Sequence, residues 1–151
     1  MVEQLRVLIA DDETVVRLDL RGMLEADGFK VCGEATDGAQ AVTLARELAP
    51  DLAIMDVKMA QVDGVEAAER ILAERRFPIV MLTGYDDEAL VDRAVSAGVF
   101  GYVLKPFREQ DMRTVIHVAR ARHAEVQALT EFRDRVEAAD AGKLYPSYMR
   151  W

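Results

Sequence analysis

Cysteine is almost absent from this 151-residue sequence, which contains Cys32 and no other. A single thiol forms no internal disulfide, so a hydrophobic core must stabilise the fold, and a chain near this length buries roughly 70% of its surface on folding. Long apolar runs are missing too, since none approaches the roughly 18 residues of a membrane span. The N-terminus also lacks the basic segment and apolar run of a secretory signal. We therefore expect a cytoplasmic protein without a membrane segment.

Basic residues are in short supply, with 19 Lys and Arg against 27 Asp and Glu and a net charge of −8. Nucleic-acid surfaces need concentrated positive charge, so we expect no DNA binding from this chain. Glycine-rich phosphate loops and the G-x-S-x-G motif are also absent, which excludes Rossmann, P-loop and α/β-hydrolase sites. His117 and His123 stand near opposite faces of a predicted helix. We expect surface residues there and no metal pair.

Short apolar runs alternate with longer amphipathic segments along the chain. This alternation is typical of a parallel sheet covered by helices on both faces, so the predicted class is α/β. The predicted strands are residues 5–10, 30–35, 51–56, 78–82 and 101–104. The predicted helices are residues 13–27, 38–48, 64–75, 87–97 and a fifth from near residue 108 to about residue 141. Gly28 and Gly98 are expected to end helices, and Thr36 or Asp37 to cap the second helix.

The residues that follow these strands carry unusual charge. Asp11 and Asp12 follow the first strand, Asp56 ends the third, and Thr83 and Lys105 follow the fourth and fifth. In an open parallel sheet these strand ends meet at one crevice, which brings the carboxylates together. Like charges at such distances repel unless a cation intervenes, and oxygen ligands of this kind suit Mg²⁺. No loop has the spacing of an EF-hand calcium site.

An aspartate beside such a cation, with a hydroxyl and a lysine opposite, has the groups needed to form an aspartyl-phosphate. Phosphoryl transfer depends mainly on positioning and on neutralising the charge of the phosphoryl oxygens. The sequence therefore predicts Asp56 as the nucleophile, with Mg²⁺ on one side and Lys105 on the other. The Thr83 hydroxyl is predicted to bond a phosphoryl oxygen.

Several short motifs have a definite order and spacing. They are Asp11-Asp12, Ile54-Met55-Asp56-Val57-Lys58-Met59, Asp63-Gly64, Met81-Leu82-Thr83-Gly84, Gly98, Gly101-Tyr102 and Lys105-Pro106-Phe107. With these motifs the chain resembles, over about residues 5–122, the receiver domain of bacterial two-component response regulators. The resemblance implies a (βα)₅ doubly wound parallel sheet of the flavodoxin-like type, with strand order 2-1-3-4-5 and an extended C-terminal helix here. It also implies that Asp56 accepts a phosphoryl group from a sensor histidine kinase or a phosphotransfer protein.

The resemblance implies a role for each matching residue. The Mg²⁺ ligands, with Mn²⁺ as an alternative ion, are then Asp11, Asp12, Asp56 and the backbone carbonyl of Lys58. The phosphoryl-binding and switch residues are Thr83, Gly84, Lys105 and Tyr102, and the candidate cis peptide bond precedes Pro106. The only chemistry implied is Mg²⁺-dependent self-phosphorylation and autodephosphorylation at Asp56, so we do not expect an enzyme with another substrate.

The C-terminal part of the chain is not explained by the receiver resemblance. Residues 1–122 form the expected receiver domain, and residues 123–151 form a helical extension and tail without a recognisable output domain. The chain is most similar to receivers of actinobacterial ANTAR-type regulators, whose RNA-binding output needs on the order of 50 further residues in a helical bundle. RNA binding is therefore not supported.

The fifth helix continues beyond the length that a receiver needs. A heptad test places two sets of residues at its core positions: Met112, Ala119, Val126 and Arg133, and Val115, Arg122, Leu129 and Val136. Six of these eight are apolar, which indicates an imperfect coiled-coil seam. We expect signalling through the fourth and fifth helices and this extension, by homodimerisation or by docking on a partner. The alternative is a helix whose end packs on its own domain.

The sequence is also compatible with other functions. A pseudo-receiver would act as an interaction module without phosphorylation, although Asp12, Asp56, Thr83 and Lys105 are all present. A shortened ANTAR-type antiterminator would have lost its RNA-binding output. A metal-dependent phosphohydrolase is disfavoured, because Lys58 stands where such enzymes usually place a second aspartate.

Overall fold

The computed structural model describes residues 4–84 and 88–141 of the chain, along which strands and helices alternate. The strands are β1 (Arg6–Ala10), β2 (Lys30–Ala35), β3 (Leu52–Asp56), β4 (Ile79–Thr83) and β5 (Gly101–Leu104). The helices are α1 (Thr14–Ala26), α2 (Gly38–Leu48), α3 (Gly64–Glu74), α4 (Glu88–Ala97) and α5 (Glu109–Ala141). Asp87, where the sequence places the start of the fourth helix, and the predicted tail after residue 141 lie outside the described residues.

The five strands form one sheet in the order β2-β1-β3-β4-β5, and all neighbouring strands are parallel. In this register Ile9 of β1 stands opposite Ile54 of β3, and Met55 of β3 stands opposite Met81 of β4. The chain moves from β1 to β2 at one edge and then returns past β1 to build β3, β4 and β5 on the other side. This confirms the predicted (βα)₅ fold and its strand order.

The sheet is buried on both faces, which explains why its strands are continuously apolar. Successive residues of β1 point to opposite faces. Leu8 belongs to the core layer formed with α2, α3 and α4, whereas Val7 and Ile9 belong to the layer formed with α1 and α5. All three are fully buried. Two apolar layers therefore occupy the sheet faces, and polar side chains collect at the strand ends.

The predicted helix boundaries have identifiable causes. The side chain of Asp37 accepts a hydrogen bond from the Gln40 amide at 2.8 Å, so Asp37 and not Thr36 caps α2. Gly28 and Gly98 follow α1 and α4 with φ angles of 89° and 102°, in the left-handed region that favours glycine. The predicted helix-ending role of both glycines is confirmed.

Helix α5 runs through 33 residues, and its first half packs on the sheet. Met112, Ile116 and Ala119 are at most 3% exposed. The heptad prediction is therefore wrong for Met112 and Ala119, because they belong to the core of their own domain. Residues 124–138 are all exposed, so the domain covers little of the extension. Despite the length of α5, no helix in the described part of the chain has the length and apolarity needed to cross a membrane.

The two histidines of α5 have different surroundings. His117 is exposed, as predicted. His123 is half-buried, with its ring edge-to-face against Phe100 at a centroid distance of 5.9 Å. Burial lowers the pKa of His123, and the charge of Arg75 lowers it further. The prediction of a surface residue is wrong for His123, because helical spacing alone does not show that Phe100 lies beside it.

Candidate functional site

Four polar side chains converge at the carboxyl edge of the sheet. Asp11 directly follows β1, Asp56 ends β3, Thr83 ends β4 and Lys105 directly follows β5. These strands are neighbours in the sheet, so the residues come together as the sequence predicts. In the described part of the chain, the buried polar or charged residues are Asp11, Asp56 and Thr83, at 0%, 7% and 1% exposure. Buried carboxylates need a compensating charge or strong hydrogen bonds.

Lys105 supplies a compensating charge from within the protein. Its ammonium donates to Asp56 Oδ2 at 2.8 Å and to Asp11 Oδ2 at 3.0 Å. The Lys105 amide donates to the Thr83 carbonyl at 2.8 Å, which extends the β4–β5 ladder and fixes where the side chain begins. The following Lys105–Pro106 peptide bond is cis, as the receiver resemblance implies. The backbone at the end of β5 thus positions the Lys105 ammonium beside the carboxylates of Asp11 and Asp56, which lie at the ends of β1 and β3.

Burial and ion pairing have opposite effects on the pKa values of Asp56 and Lys105. Burial raises the pKa of Asp56, and the hydrogen bonds from Lys105 and from the Lys58 amide only partly offset this rise. Burial alone would lower the pKa of Lys105, but its hydrogen bonds to Asp56 and Asp11 outweigh burial and leave that pKa raised. The site therefore holds a firmly charged lysine beside a carboxylate whose ionisation is costly inside the protein.

Further acidic side chains extend the site towards solvent. Asp11, Asp12, Glu13 and Asp56 each offer a ligand atom, and these atoms lie within 4.8 Å of one another. Carboxylate oxygens suit Mg²⁺ and Mn²⁺, and the exposure of Asp12 and Glu13 leaves room for the waters that Mg²⁺ retains. This donor set fits the predicted divalent cation. Glu13 is an addition to the predicted ligands, and its signal in the sequence is the unbroken run Asp11-Asp12-Glu13.

The loop after β3 carries Lys58, whose backbone carbonyl is the remaining predicted ligand. The Lys58 amide donates to Asp56 Oδ1 at 3.2 Å. Gly64 closes the loop, since its amide donates to the Val57 carbonyl at 2.9 Å and a Cβ there would lie 1.9 Å from the Asp56 carbonyl oxygen. Only glycine permits this approach, so Gly64 fixes the path of the loop beside Asp56.

Arg17 of α1 supports the acidic turn from behind, and the sequence motifs do not reveal this role. Its Nη1 donates to the Asp11 carbonyl at 2.7 Å, and its Nε lies 3.4 Å from Glu34 Oε1. The Arg17 side chain is only 14% exposed. Arg21, one helical turn later, also pairs with Glu34, and its other ion-pair partner is Glu25. Arg17 therefore connects the edge strand β2 to the turn that carries Asp11.

The predicted switch residues lie in two places. Thr83 is buried at the acidic site, and its hydroxyl donates to the Gly84 carbonyl at 3.2 Å. Tyr102 is 52% exposed and lines a groove between α4, β5 and α5. The structure therefore brings Thr83 and Gly84 to the site with Lys105 but leaves Tyr102 on a separate face.

The groove that Tyr102 lines has a volume of about 740 Å³. Apolar side chains from three elements form its walls, among them Val95 of α4 and Val115 and Val118 of α5. Val95 is 59% exposed and Val118 is 39% exposed. Polar side chains also line the groove, among them Gln110 and Arg122. We call this surface the α4–β5–α5 face.

A doubly wound parallel sheet with buried aspartates and a lysine at its strand ends defines an α/β domain whose chemistry lies at that edge. The family model described as the response regulator receiver domain matches residues 7–117. The chain belongs to this family, which confirms the resemblance drawn from the sequence motifs.

Two curated relatives illustrate how much of a whole protein the chain represents. It is 48% identical over 124 residues to the transcriptional regulatory protein PdtaR of Mycobacterium tuberculosis, covering 82% of this chain and 60% of that protein. It is 35% identical over 104 residues to the chemotaxis protein CheY of Thermotoga maritima, covering 68% of this chain and 87% of that protein. The chain thus spans about 60% of the length of its regulator relative.

Solved structures share the fold. The signal receiver domain of a modulated diguanylate cyclase from Desulfovibrio desulfuricans G20 superposes with a TM-score of 0.75 at 32% identity, covering 81% of this chain and 98% of that one. The signal receiver domain of the response regulator NarL from Mycobacterium tuberculosis gives a TM-score of 0.72 at 28% identity, covering 78% and 98%. Both neighbours are receiver domains, in agreement with the family match.

Proposed function

We propose that Asp56 accepts a phosphoryl group from a phosphohistidine of a sensor histidine kinase or a phosphotransfer protein. An Asp56 oxygen attacks phosphorus in line and forms the new O–P bond, while the P–N bond breaks and its electron pair stays on the ring nitrogen. The observation that carries this proposal is the Lys105 ammonium, 2.8 Å from Asp56 Oδ2. A cation at this position opposes the negative charge of the phosphoryl oxygens in the transition state.

A divalent cation, Mg²⁺ with Mn²⁺ as the alternative, belongs to this proposal. Asp11, Asp12 and Asp56 would hold it together with the backbone carbonyl of Lys58. When bound, the cation would supply positive charge that opposes the negative charge of the phosphoryl oxygens. The protein's own contribution is to hold the carboxylates close together, where Lys105 offsets part of their mutual repulsion and a divalent cation would offset more of it.

Thr83 and Gly84 complete the proposed site. The Thr83 hydroxyl would exchange its contact with the Gly84 carbonyl for one with a phosphoryl oxygen. Attack of water on phosphorus then breaks the O–P bond and restores the Asp56 carboxylate, so the chemistry consists of self-phosphorylation and autodephosphorylation. A pseudo-receiver is not favoured, because the acidic residues, Thr83 and Lys105 are all present at one site.

The signal leaves, in this proposal, through the α4–β5–α5 face and the extension of α5. Tyr102 is the proposed switch residue, because an inward turn of its exposed side chain would reshape that face. We place the receiver domain at residues 1–122 and the helical extension and tail at residues 123–151, of which the structure describes residues up to 141. Binding of a partner and association of two chains both use such a face.

The test is phosphorylation of the full chain with acetyl phosphate and Mg²⁺, followed by intact mass measurement. We expect a single phosphoryl adduct that is stable in acid and labile in base, and that is lost with EDTA and in Asp56→Asn. Asp51→Asn is the matched control, because Asp51 is an exposed residue beside the opposite end of β3. That variant should keep the adduct. An adduct that persists in Asp56→Asn, or its absence from the wild type with Mg²⁺ and both acetyl phosphate and a cognate kinase, would overturn the proposal.

A further inference from the structure

A stripe of side chains runs along one face of α5 and continues into the extension. Its members alternate at spacings of three and four residues, which keeps them on one side of a helix. They are Val115, Val118, Arg122, Glu125, Leu129, Phe132 and Val136. Leu129, Phe132 and Val136 are 66%, 59% and 42% exposed. Large apolar side chains so open to water at this spacing indicate a helix face that lacks its partner in the single chain.

The N-terminal half of this stripe lies beside the α4–β5–α5 face. Val115, Val118 and Arg122 all line the groove, together with Val95 and Tyr102. In the C-terminal half, Leu129, Phe132 and Val136 are exposed, whereas other residues of the same half line a small cavity with the domain, namely Val126, Gln127, Thr130 and Glu131. One continuous surface therefore consists of a groove at one end and a ridge of free apolar side chains at the other.

The two parts of α5 are also similar in length. Residues 109–123 cover about 22 Å and residues 124–141 about 27 Å at the helical rise of roughly 1.5 Å per residue. An extension from a second copy therefore has the length needed to fill the groove beside residues 109–123. Two such contacts form at once if the copies are related by a twofold axis, because the arrangement is then self-complementary.

Charge selects the direction of the two helices. Arg122 and Glu125 interrupt the apolar stripe next to each other along the seam. In a parallel pair, Arg122 would face the second Arg122 and Glu125 the second Glu125, so like charges would meet in both layers. In an antiparallel pair, Arg122 lies against the partner's Glu125 and opposite charges meet twice. The charge balance of the two parts favours the same arrangement. Residues 109–123 carry three basic and two acidic residues, whereas residues 124–141 carry two basic and five acidic residues.

We infer that two copies of this chain associate antiparallel along α5, with each extension lying in the α4–β5–α5 groove of the other. The twofold axis passes between His123 and Ala124. Leu129 then packs against the partner's Val118, and Phe132 packs beside the partner's Val115. This contact goes beyond the proposed phosphotransfer and does not depend on it, because groove and ridge are both present with Asp56 unmodified.

Cysteine cross-linking of the full chain tests the direction of the helices. In a Cys32→Ser background, proteins carrying Val118→Cys or Leu129→Cys are oxidised separately and as a mixture. We expect a disulfide-linked dimer only in the mixture, because positions 118 and 129 face each other between copies and a disulfide requires Cα atoms within about 7 Å. Gln127→Cys, on the opposite side of the helix, is the matched control and should not cross-link with Val118→Cys. Cross-linking of Leu129→Cys with itself, or none in the mixture, would overturn the inference.

Sedimentation of the full chain tests the association itself. We expect Phe132→Asp to weaken dimerisation about tenfold or more, and Gln127→Asp to leave it unchanged. Glu125→Arg should weaken the dimer, and the double change Arg122→Glu with Glu125→Arg should restore it. A monomeric full chain would overturn the inference. The same holds if only a shorter chain ending at Ala141 dimerises, because residues 142–151 would then compete for the groove in the full chain. Asp56→Asn should dimerise like the wild type, so failed phosphorylation and failed dimerisation give separate results.

Discussion

The Lys105 ammonium lies 2.8 Å from the Asp56 carboxylate, whose side chain is 9% exposed. The raised pKa of Asp56 shows that this ion pair does not fully offset burial of the negative charge. A carboxyl group whose pKa is raised by folding makes the fold less stable at pH values where it is ionised. At neutral pH without a divalent cation, Asp56 therefore lowers the free energy of unfolding.

Replacing Asp56 by Asn removes the negative charge and keeps the shape. We expect Asp56→Asn to unfold at a higher temperature than the wild type at neutral pH in EDTA, as measured by circular dichroism. Mg²⁺ should stabilise the wild type by about 2.7 kcal/mol at a hundredfold excess over its Kd and should stabilise the variant much less. A variant that is less stable in EDTA, or equally stabilised by Mg²⁺, would show that Asp56 is not the carboxylate that governs the site.

Arg17 and Arg21 provide a matched pair on α1. Removing Arg17 leaves the Asp11 carbonyl without a charged hydrogen-bond donor in a half-buried position, so Arg17→Gln should cost about 1.5–3 kcal/mol of unfolding free energy. Arg21→Gln should cost about 1 kcal/mol or less, since its side chain is 39% exposed and its ion pairs are screened by water. Urea denaturation measures both. Equal losses would show that Glu34, the partner they share, accounts for the effect and not Asp11.

Gly64 and Gly22 are predicted to respond to alanine in opposite directions. At Gly64 the added Cβ would lie 1.9 Å from the Asp56 carbonyl oxygen, so Gly64→Ala must displace the loop and should destabilise the fold by more than about 2 kcal/mol. Gly22 lies inside α1 with no atom within 4 Å of an added Cβ, so Gly22→Ala should stabilise by about 0.5–1 kcal/mol. Denaturation midpoints of the two variants give the comparison. A stabilising Gly64→Ala would contradict the close approach described here.

His123 should make stability depend on pH. Burial lowers its pKa below the ordinary 6.5, so folding favours the neutral ring. The associated stability is present above about pH 6.5 and is lost as the pH falls towards the lower folded-state pKa. The charges near His123 have opposing effects on its protonation. Arg75 opposes protonation of the ring, and Arg76 and Glu131, which carry opposite charges, line the same small cavity as His123.

The measurement for His123 is urea denaturation at about pH 7.5 and about pH 5.5. Acid should reduce the free energy of unfolding of the wild type more than that of His123→Gln. His117→Gln, which changes an exposed residue of the same helix, is the control and should follow the wild type. An equal response to acid in wild type and His123→Gln would assign the pH dependence to other groups.

The sheet and its strand-end site were accessible from the sequence because each depends on a local signal. The strands are apolar and polar or charged residues lie at or just after their ends, so β2, β5 and α2 have the predicted bounds and the other predicted ends in the described chain differ by about one residue. Asp11, Asp56, Thr83 and Lys105 meet because the strand order places their strands side by side.

Two features depended on contacts that no local pattern contains. The heptad pattern of α5 correctly marked apolar residues but did not distinguish Met112 and Ala119, which contact their own sheet, from Leu129, which does not. The burial of His123 depends on Phe100, which lies far from it in sequence. Periodicity shows that a residue is apolar or on one face, and only tertiary structure shows which neighbour covers it.

Helix α5 contains neither glycine nor proline between Glu109 and Ala141. It therefore lacks the residues that usually bend a helix. Over its length of roughly 50 Å, α5 is a rigid element whose N-terminal base packs on the sheet. A tilt of about 5° at the base would carry the far end of the extension through about 4 Å, given the helical rise per residue. A small rearrangement of the backbone beside Lys105 and Pro106 would thus produce a larger displacement at the C-terminal end of α5. The helix would move as a rigid body, and the domain itself would not deform.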